Sequence, residues 1–98
     1  MPAYVVLDID VTDPELYAKY KELGPSTVAA YGGRYLVRGG RVESLEGSWC
    51  PSRFVMLEFP TLEAGRTWWA SAEYAEAKAL RHASTRTDLL LVEGVPDT

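Results

Sequence analysis

Arg34-Tyr35-Leu36-Val37-Arg38, closed by Gly39-Gly40, and Arg53-Phe54-Val55-Met56-Leu57-Glu58-Phe59 are two strand-like runs with no helical pattern between them. Elsewhere in the chain strand and helix patterns alternate, so this pair decides the topology. Ahead of it, Ala3 to Val11 is rich in Val and Ile and reads as a strand. Side chains alternate between strand faces. Val5, Leu7 and Ile9 therefore share one face, and Tyr4, Val6, Asp8 and Asp10 the other. A helix follows, capped by Thr12 with Glu15 or by Asp13 with Pro14 at the first helical position. Leu16, Tyr20 and Leu23 repeat at helical spacing with Tyr17 beside them. Gly24-Pro25 is expected to interrupt that helix, because the residue before Pro disfavours the α region. Ser26 to Tyr31 adds a further turn or two, and Gly32-Gly33 ends it.

After the paired strands, Thr61 caps a second helical segment and Ser71 caps again. Residues 62–70 and 72–83 thus read as a broken helix. Ala72, Ala75, Ala79, Leu80 and Ala83 form a narrow small-residue face, expected to approach the sheet. Residues 87–95 read as the last strand, centred on Leu89-Leu90-Leu91-Val92. The order β-α-β-β-α-β is the ferredoxin-like arrangement, an α+β fold: a four-stranded antiparallel sheet with both helices on one face. The helix-side face is then Val5, Leu7, Ile9, Val55, Leu57 and Phe59. The open face carries Tyr4, Val6, Phe54 and Met56, mixed with Asp8, Asp10 and Glu58. So apolar a face points to a second copy packed against it, giving a barrel-like homodimer.

The chain has 98 residues, one His, one Cys and a formal charge of −4. Residues 1–95 are expected to form one domain and 96–98 a loose tail. One Cys makes no internal disulfide, and one His with one Cys is too few for the usual structural zinc site. An acidic balance argues against nucleic acid. No apolar run nears the roughly 20 residues that span a bilayer, and residues 1–10 lack a signal-peptide pattern. The expectation is a cytoplasmic protein. The charge is uneven: residues 1–33 carry net −3, residues 34–53 net +2 and residues 54–98 net −3. The middle is a local arginine patch.

Several phrases carry a resemblance. They are Tyr31 to Gly40, then Leu45-Glu46-Gly47-Ser48-Trp49 with Pro51 and Arg53, then Leu57-Glu58-Phe59-Pro60, then Trp68 with Ser71 and Tyr74, and Arg81. In this order and spacing the chain resembles the bacterial domain-of-unknown-function family numbered thirteen-thirty, of the dimeric α/β-barrel superfamily. Ala72 departs from a frequent Pro and Trp69 from a frequent Tyr. The resemblance implies a ferredoxin-like homodimer and supplies no reaction. Its superfamily includes haem-degrading and quinol-forming monooxygenases, isomerases, cyclases and stress proteins, so fold does not give function.

Arg38 and Glu58 are the candidate catalytic pair. If the second and third strands pair, both can share a sheet face near Asp8 or Asp10. Arg38 would hold an anion, and Glu58 would be the base or its orienting partner. The competing reading is an Arg–Glu ion pair that sets register or the dimer. Arg34, Arg53, Trp49, Trp68, Tyr74 and Arg81 are candidate ligand-binding residues. Trp49 lies on the long 41–51 connection and could close over a cavity as a lid. Leu62, Gly65 and Trp69 share a helical face; Trp68 points about 100° away, so one Trp packs inside and the other outside. Tyr74 and Arg81, seven apart, lie opposite the alanines. His82 as a base and Cys50 as a nucleophile are weaker candidates; a His82 haem ligand rests on superfamily analogy alone. No nucleotide-binding or hydrolase motif is present and no cofactor is expected. The leading function is binding of a small anionic or carbonyl compound, with cofactor-free proton transfer or isomerisation. The alternatives are a non-catalytic accessory, stress or ligand-sensing dimer and a cofactor-free monooxygenase.

Overall fold

A computed structural model describes residues 1–96. Of the expected tail, residues 97 and 98 lie outside the described residues. The elements are β1 (Ala3–Val11), α1 (Pro14–Ala30), β2 (Arg34–Arg38), β3 (Arg53–Phe59), α2 (Leu62–Ala70), α3 (Ala72–Ser84) and β4 (Thr85–Glu93). The four strands form one sheet in the order β2-β3-β1-β4. All neighbours are antiparallel. This is the expected ferredoxin-like arrangement, with β3 inserted between the two strands that α1 connects. None of the helices among the described residues is long and apolar enough to cross a membrane.

The alternation in β1 and β3 sets the core. Val5 lies opposite Leu57 and Leu7 opposite Val55, and these side chains point to the helices with Ile9 and Phe59. All six are no more than 6% exposed. Gly33 lets β2 enter close to this core: a Cβ there would sit 2.6 Å from the Phe59 ring and 2.8 Å from Val28.

Helix α1 starts at Asp13, whose carboxylate accepts from Leu16 N at 3.1 Å, with Pro14 next. It does not break at Gly24-Pro25, as the sequence had predicted; it runs through Pro25 to Ala30. Pro25 has no N–H to give to the carbonyl four residues back, that of Lys21. Arg38 Nη2 takes that place, donating to Lys21 O at 3.1 Å. Thr27 Oγ1 and Ser26 Oγ donate to the carbonyls of Gly24 and Leu23 at 2.7 and 3.2 Å. The carbonyl that Pro25 leaves free is thus hydrogen-bonded from the side. The inward face of α1 is Tyr17, Tyr20, Gly24, Thr27 and Val28, while Leu23 is exposed.

Ser71 ends α2 and starts α3, as expected: its N–H donates to Trp68 O and its hydroxyl accepts from Tyr74 N. One Trp packs inside and the other outside, as expected, while the face of α3 differs from expectation. In α2, Gly65 and Trp68 are buried and Trp69 is exposed beneath Lys78, 3.9 Å from the ring centroid. In α3, Tyr74, Ala77, Arg81 and Ser84 are buried, and Ala72, Ala75, Ala79 and Ala83 face out. The reason is volume: α3 packs mainly on α1, and its bulky residues fill that gap. Strand β4 begins at Thr85, two residues earlier than expected, because Arg86 and Thr85 still pair with Asp10 and Val11.

Candidate functional site

A β-bulge decides where the arginines go. Along β2, Arg34 faces Glu58, Tyr35 faces Leu57, Val37 faces Met56 and Arg38 faces Val55. Leu36 is the extra residue between Tyr35 and Val37, and a bulge of this kind shifts every later side chain to the other face. Arg34 therefore stays on the open face, where its Nε meets Glu58 Oε1 at 2.8 Å. Arg38 turns to the helix side with Tyr35, its guanidinium 4.8 Å from the Tyr35 ring centroid. The structure does not bring Arg38 and Glu58 together; it places them on opposite faces.

Arg38 instead joins a pocket between the sheet and α1. Its walls are Tyr17, Tyr20 and Lys21 from α1, Tyr35 and Arg38 from β2, Arg53 and Val55 from β3, and Ile9. Arg53 Nε donates to Tyr17 Oη at 2.9 Å. Gly39, at φ +74°, lies against the Arg53 guanidinium, which occupies the space a Cβ would need. Lys21 Nζ stands 5.7 Å from the Tyr17 ring centroid. The cavity is small, about 20 Å³. Three cationic side chains and three phenols line it, and no carboxylate or imidazole does. Lys21 and Arg38 are exposed, so their stems can move to admit a ligand.

Behind the pocket runs a buried polar line. Tyr20 Oη and Tyr74 Oη are 3.0 Å apart, and Arg81 Nε donates to Tyr74 Oη at 3.2 Å. Arg81 is only 2% exposed. Among the described residues the ion pairs are Arg34–Glu58 and Arg41–Glu43, so this buried guanidinium has no carboxylate. Trp68 stacks on Tyr74 with centroids 4.1 Å apart, and its Nε1 donates to Thr27 Oγ1 at 3.1 Å. Burial pushes the Tyr20 phenol far above its usual range, with Tyr74 adding to the effect. Burial also raises Tyr35, against the opposing pull of Arg38. Both are neutral hydrogen-bond donors at physiological pH.

These raised values have a consequence for stability. Above about pH 10 the unfolded chain ionises these phenols while the folded chain keeps them protonated, so the folded state binds more protons. Folding stability then falls as pH rises through that window. Urea titrations at about pH 8 and pH 11 should show a lower midpoint at pH 11, with a smaller loss for Tyr20→Phe. Equal midpoints for the native protein would refute this.

The other candidates lie apart. Trp49 does not close over the pocket. It lies on the open face, donating to Asp8 Oδ2 at 2.9 Å and meeting the Phe54 ring edge-on at 6.2 Å. Trp68, Tyr74 and Arg81 stand one layer behind the pocket. His82 is exposed, with a pKa lowered by partial burial and then by Arg81 and Lys78. Cys50 is exposed. Among the described residues no group of three His, Cys, Asp or Glu is arranged to hold a metal ion. The sequence gives Tyr17 and Tyr20 only as part of a helical repeat and does not single out Tyr35 or Lys21 as site residues. The spacing of Tyr17, Tyr20 and Lys21 was the available signal, since residues three and four apart share a helix face.

The family described as Domain of unknown function (DUF1330) matches residues 2–95. Curated proteins offer no match. Among solved structures, a protein of unknown function from Rhodopseudomonas palustris is similar at TM-score 0.78 and 18% identity, covering 97% of this chain and 83% of that one. SnoaB from Streptomyces nogalater, a cofactor-independent oxygenase, is similar at TM-score 0.65 and 10% identity, covering 97% and 94%. A protein from Mycobacterium tuberculosis is similar at TM-score 0.57 and 14% identity, covering 99% and 98%. At these identities the likeness is one of fold.

Proposed function

We propose, for a chain that belongs to the DUF1330 family of unknown function, that it binds a small anionic or carbonyl compound between its sheet and α1 and promotes cofactor-free proton transfer on it. One observation carries this reading: Lys21, Arg38 and Arg53 converge with three phenols on a pocket that no carboxylate lines. Like charges gathered without a counter-ion repel one another, and an anion relieves that repulsion. Arg38 and Arg53 hold the anionic group in a planar fork. Tyr20 and Tyr35 donate to the oxygen on which charge develops. In such a transfer a water molecule takes the proton from carbon, and the bonding pair moves on to the carbonyl oxygen as an enolate. Return of a proton to carbon completes the exchange. Glu58 has no part in this scheme, since Arg34 holds it on the far face.

The test is a panel of oxo acids and lactones, read by tryptophan fluorescence and by deuterium exchange at the carbon beside the carbonyl. At least one compound should bind, and Arg38→Ala should weaken it about tenfold to a hundredfold, the range for a hydrogen bond to a charged group. Binding without accelerated exchange would leave a non-catalytic ligand sensor. No binding by any member would remove the reading.

The open face supports a homodimer. Tyr4, Val6, Phe54 and Met56 are half-buried there, and Leu90 and Val92 are 68% and 50% exposed. Contiguous exposed apolar surface of this kind marks an interaction site.

A further inference from the structure

We propose that Arg81, Tyr74 and Tyr20 form a one-way chain of hydrogen-bond donors whose last proton points into the pocket, so that its inner end takes a carbonyl or enolate oxygen while the mouth takes a carboxylate. The ligand class is then a short oxo acid; this rests on the binding reading above.

The direction follows from chemistry. A guanidinium has donors and no acceptor. Arg81 Nε therefore occupies a lone pair of Tyr74 Oη, at 3.2 Å. Tyr74 Oη has no other partner among the described residues than Arg81 Nε and Tyr20 Oη, so its own proton is assigned to Tyr20 Oη, 3.0 Å away. Tyr20 is thereby an acceptor toward Tyr74, which leaves its own proton free for a ligand in the pocket that Tyr20 lines. Each bond polarises the next, so Tyr20 is a stronger donor than an isolated phenol. A buried cation without a carboxylate is costly. A negative oxygen at the end of the chain offsets that cost.

The cavity size agrees. About 20 Å³ holds one water-sized group. A single ligand oxygen fits at the inner end, and the rest of the ligand lies at the mouth beside Lys21 and Arg38. Arg81 acts through the phenols and is a positioning residue.

The experiment compares 2-oxobutanoate with butanoate, which lacks the oxo oxygen, by calorimetry on the full chain. The native protein should prefer 2-oxobutanoate about tenfold, the worth of one good hydrogen bond. Tyr20→Phe and Arg81→Met should each bring that preference close to one. Arg81→Lys, which keeps a cationic donor, should restore part of it. A preference that survives Arg81→Met overturns the chain and leaves the binding reading standing. Should neither acid bind the native protein, the short oxo-acid class is overturned, while the panel of oxo acids and lactones judges the binding reading separately. A ligand-free measurement then judges the donor chain: the Tyr20 ring-carbon resonance in tyrosine-labelled protein. Arg81→Met and Tyr74→Phe should both displace it. An unmoved resonance overturns the donor direction.

Discussion

Trp68→Ala should cost about 3–5 kcal/mol of folding stability, the range for truncating a buried aromatic. Trp68 is fully buried. It stacks on Tyr74 at 4.1 Å and meets the Phe59 ring at 5.3 Å, so its loss strips partners from both. Neither neighbour can collapse into the gap. Phe59 is held in β3 against β1, and Tyr74 is tied to Tyr20 and Arg81. A domain of this size holds about 5–15 kcal/mol in total. The melting temperature should therefore fall by at least about 12 °C. Trp69→Ala, at a 42% exposed position, should stay within about 0.5 kcal/mol. Thermal and urea unfolding of the two variants is the measurement. A loss for Trp68→Ala below about 1 kcal/mol would mean that the site collapses more freely than its packing indicates.

Leu90→Asp should prevent the proposed pairing of two copies through the open face. Leu90 is 68% exposed on the open face, midway along the edge strand β4, and pairs with Val6 of β1. If a second copy covers this face, the exposed leucine is an apolar anchor, and a buried carboxylate there has no partner. Hot-spot losses of about 2 kcal/mol or more correspond to at least about thirtyfold weaker association. Because the side chain touches little within its own chain, circular dichroism should stay native in the variant. Light scattering should give about twice the 10.9 kDa chain mass for the native protein and one chain mass for the variant. A native protein of one chain mass, or a variant that still dimerises, would be incompatible with pairing through this face.

Much of the fold was legible because the signals were local. Val5, Leu7 and Ile9 alternate with Tyr4, Val6, Asp8 and Asp10, and a strand period of two needs no knowledge of the partner. Ser71 accepts from Tyr74 N within its own turn, so the break between α2 and α3 could be read from a capping residue. Pro25 misled for the opposite reason. Its cost to a helix is local, but Arg38, thirteen residues further on, offsets it by donating to the carbonyl that Pro25 leaves free. The alanine face of α3 misled similarly: small residues fit against a sheet, yet α3 packs on α1, where Tyr74 and Arg81 are the residues that reach.

The site was half legible. Arg38, Arg53, Tyr74 and Arg81 were all singled out as candidates, and Tyr74 was paired with Arg81 by their spacing; the grouping of Arg38 with Arg53, and of Tyr74 with Tyr20, was not read. By itself the sequence determined the element order, the apolar face of the sheet, the arginine-rich middle and the scarcity of His and Cys. These are properties of composition and short-range period. Tertiary structure alone decided which face each arginine takes. A β-bulge is a property of two strands in register, and Leu36 is extra only relative to its partner strand. That one residue sends Arg38 to Tyr35, Arg53 and Lys21 and leaves Arg34 to neutralise Glu58. Charge gathered from β2, β3 and α1 has no signature along the chain, because the distances that make it a site are set across the fold.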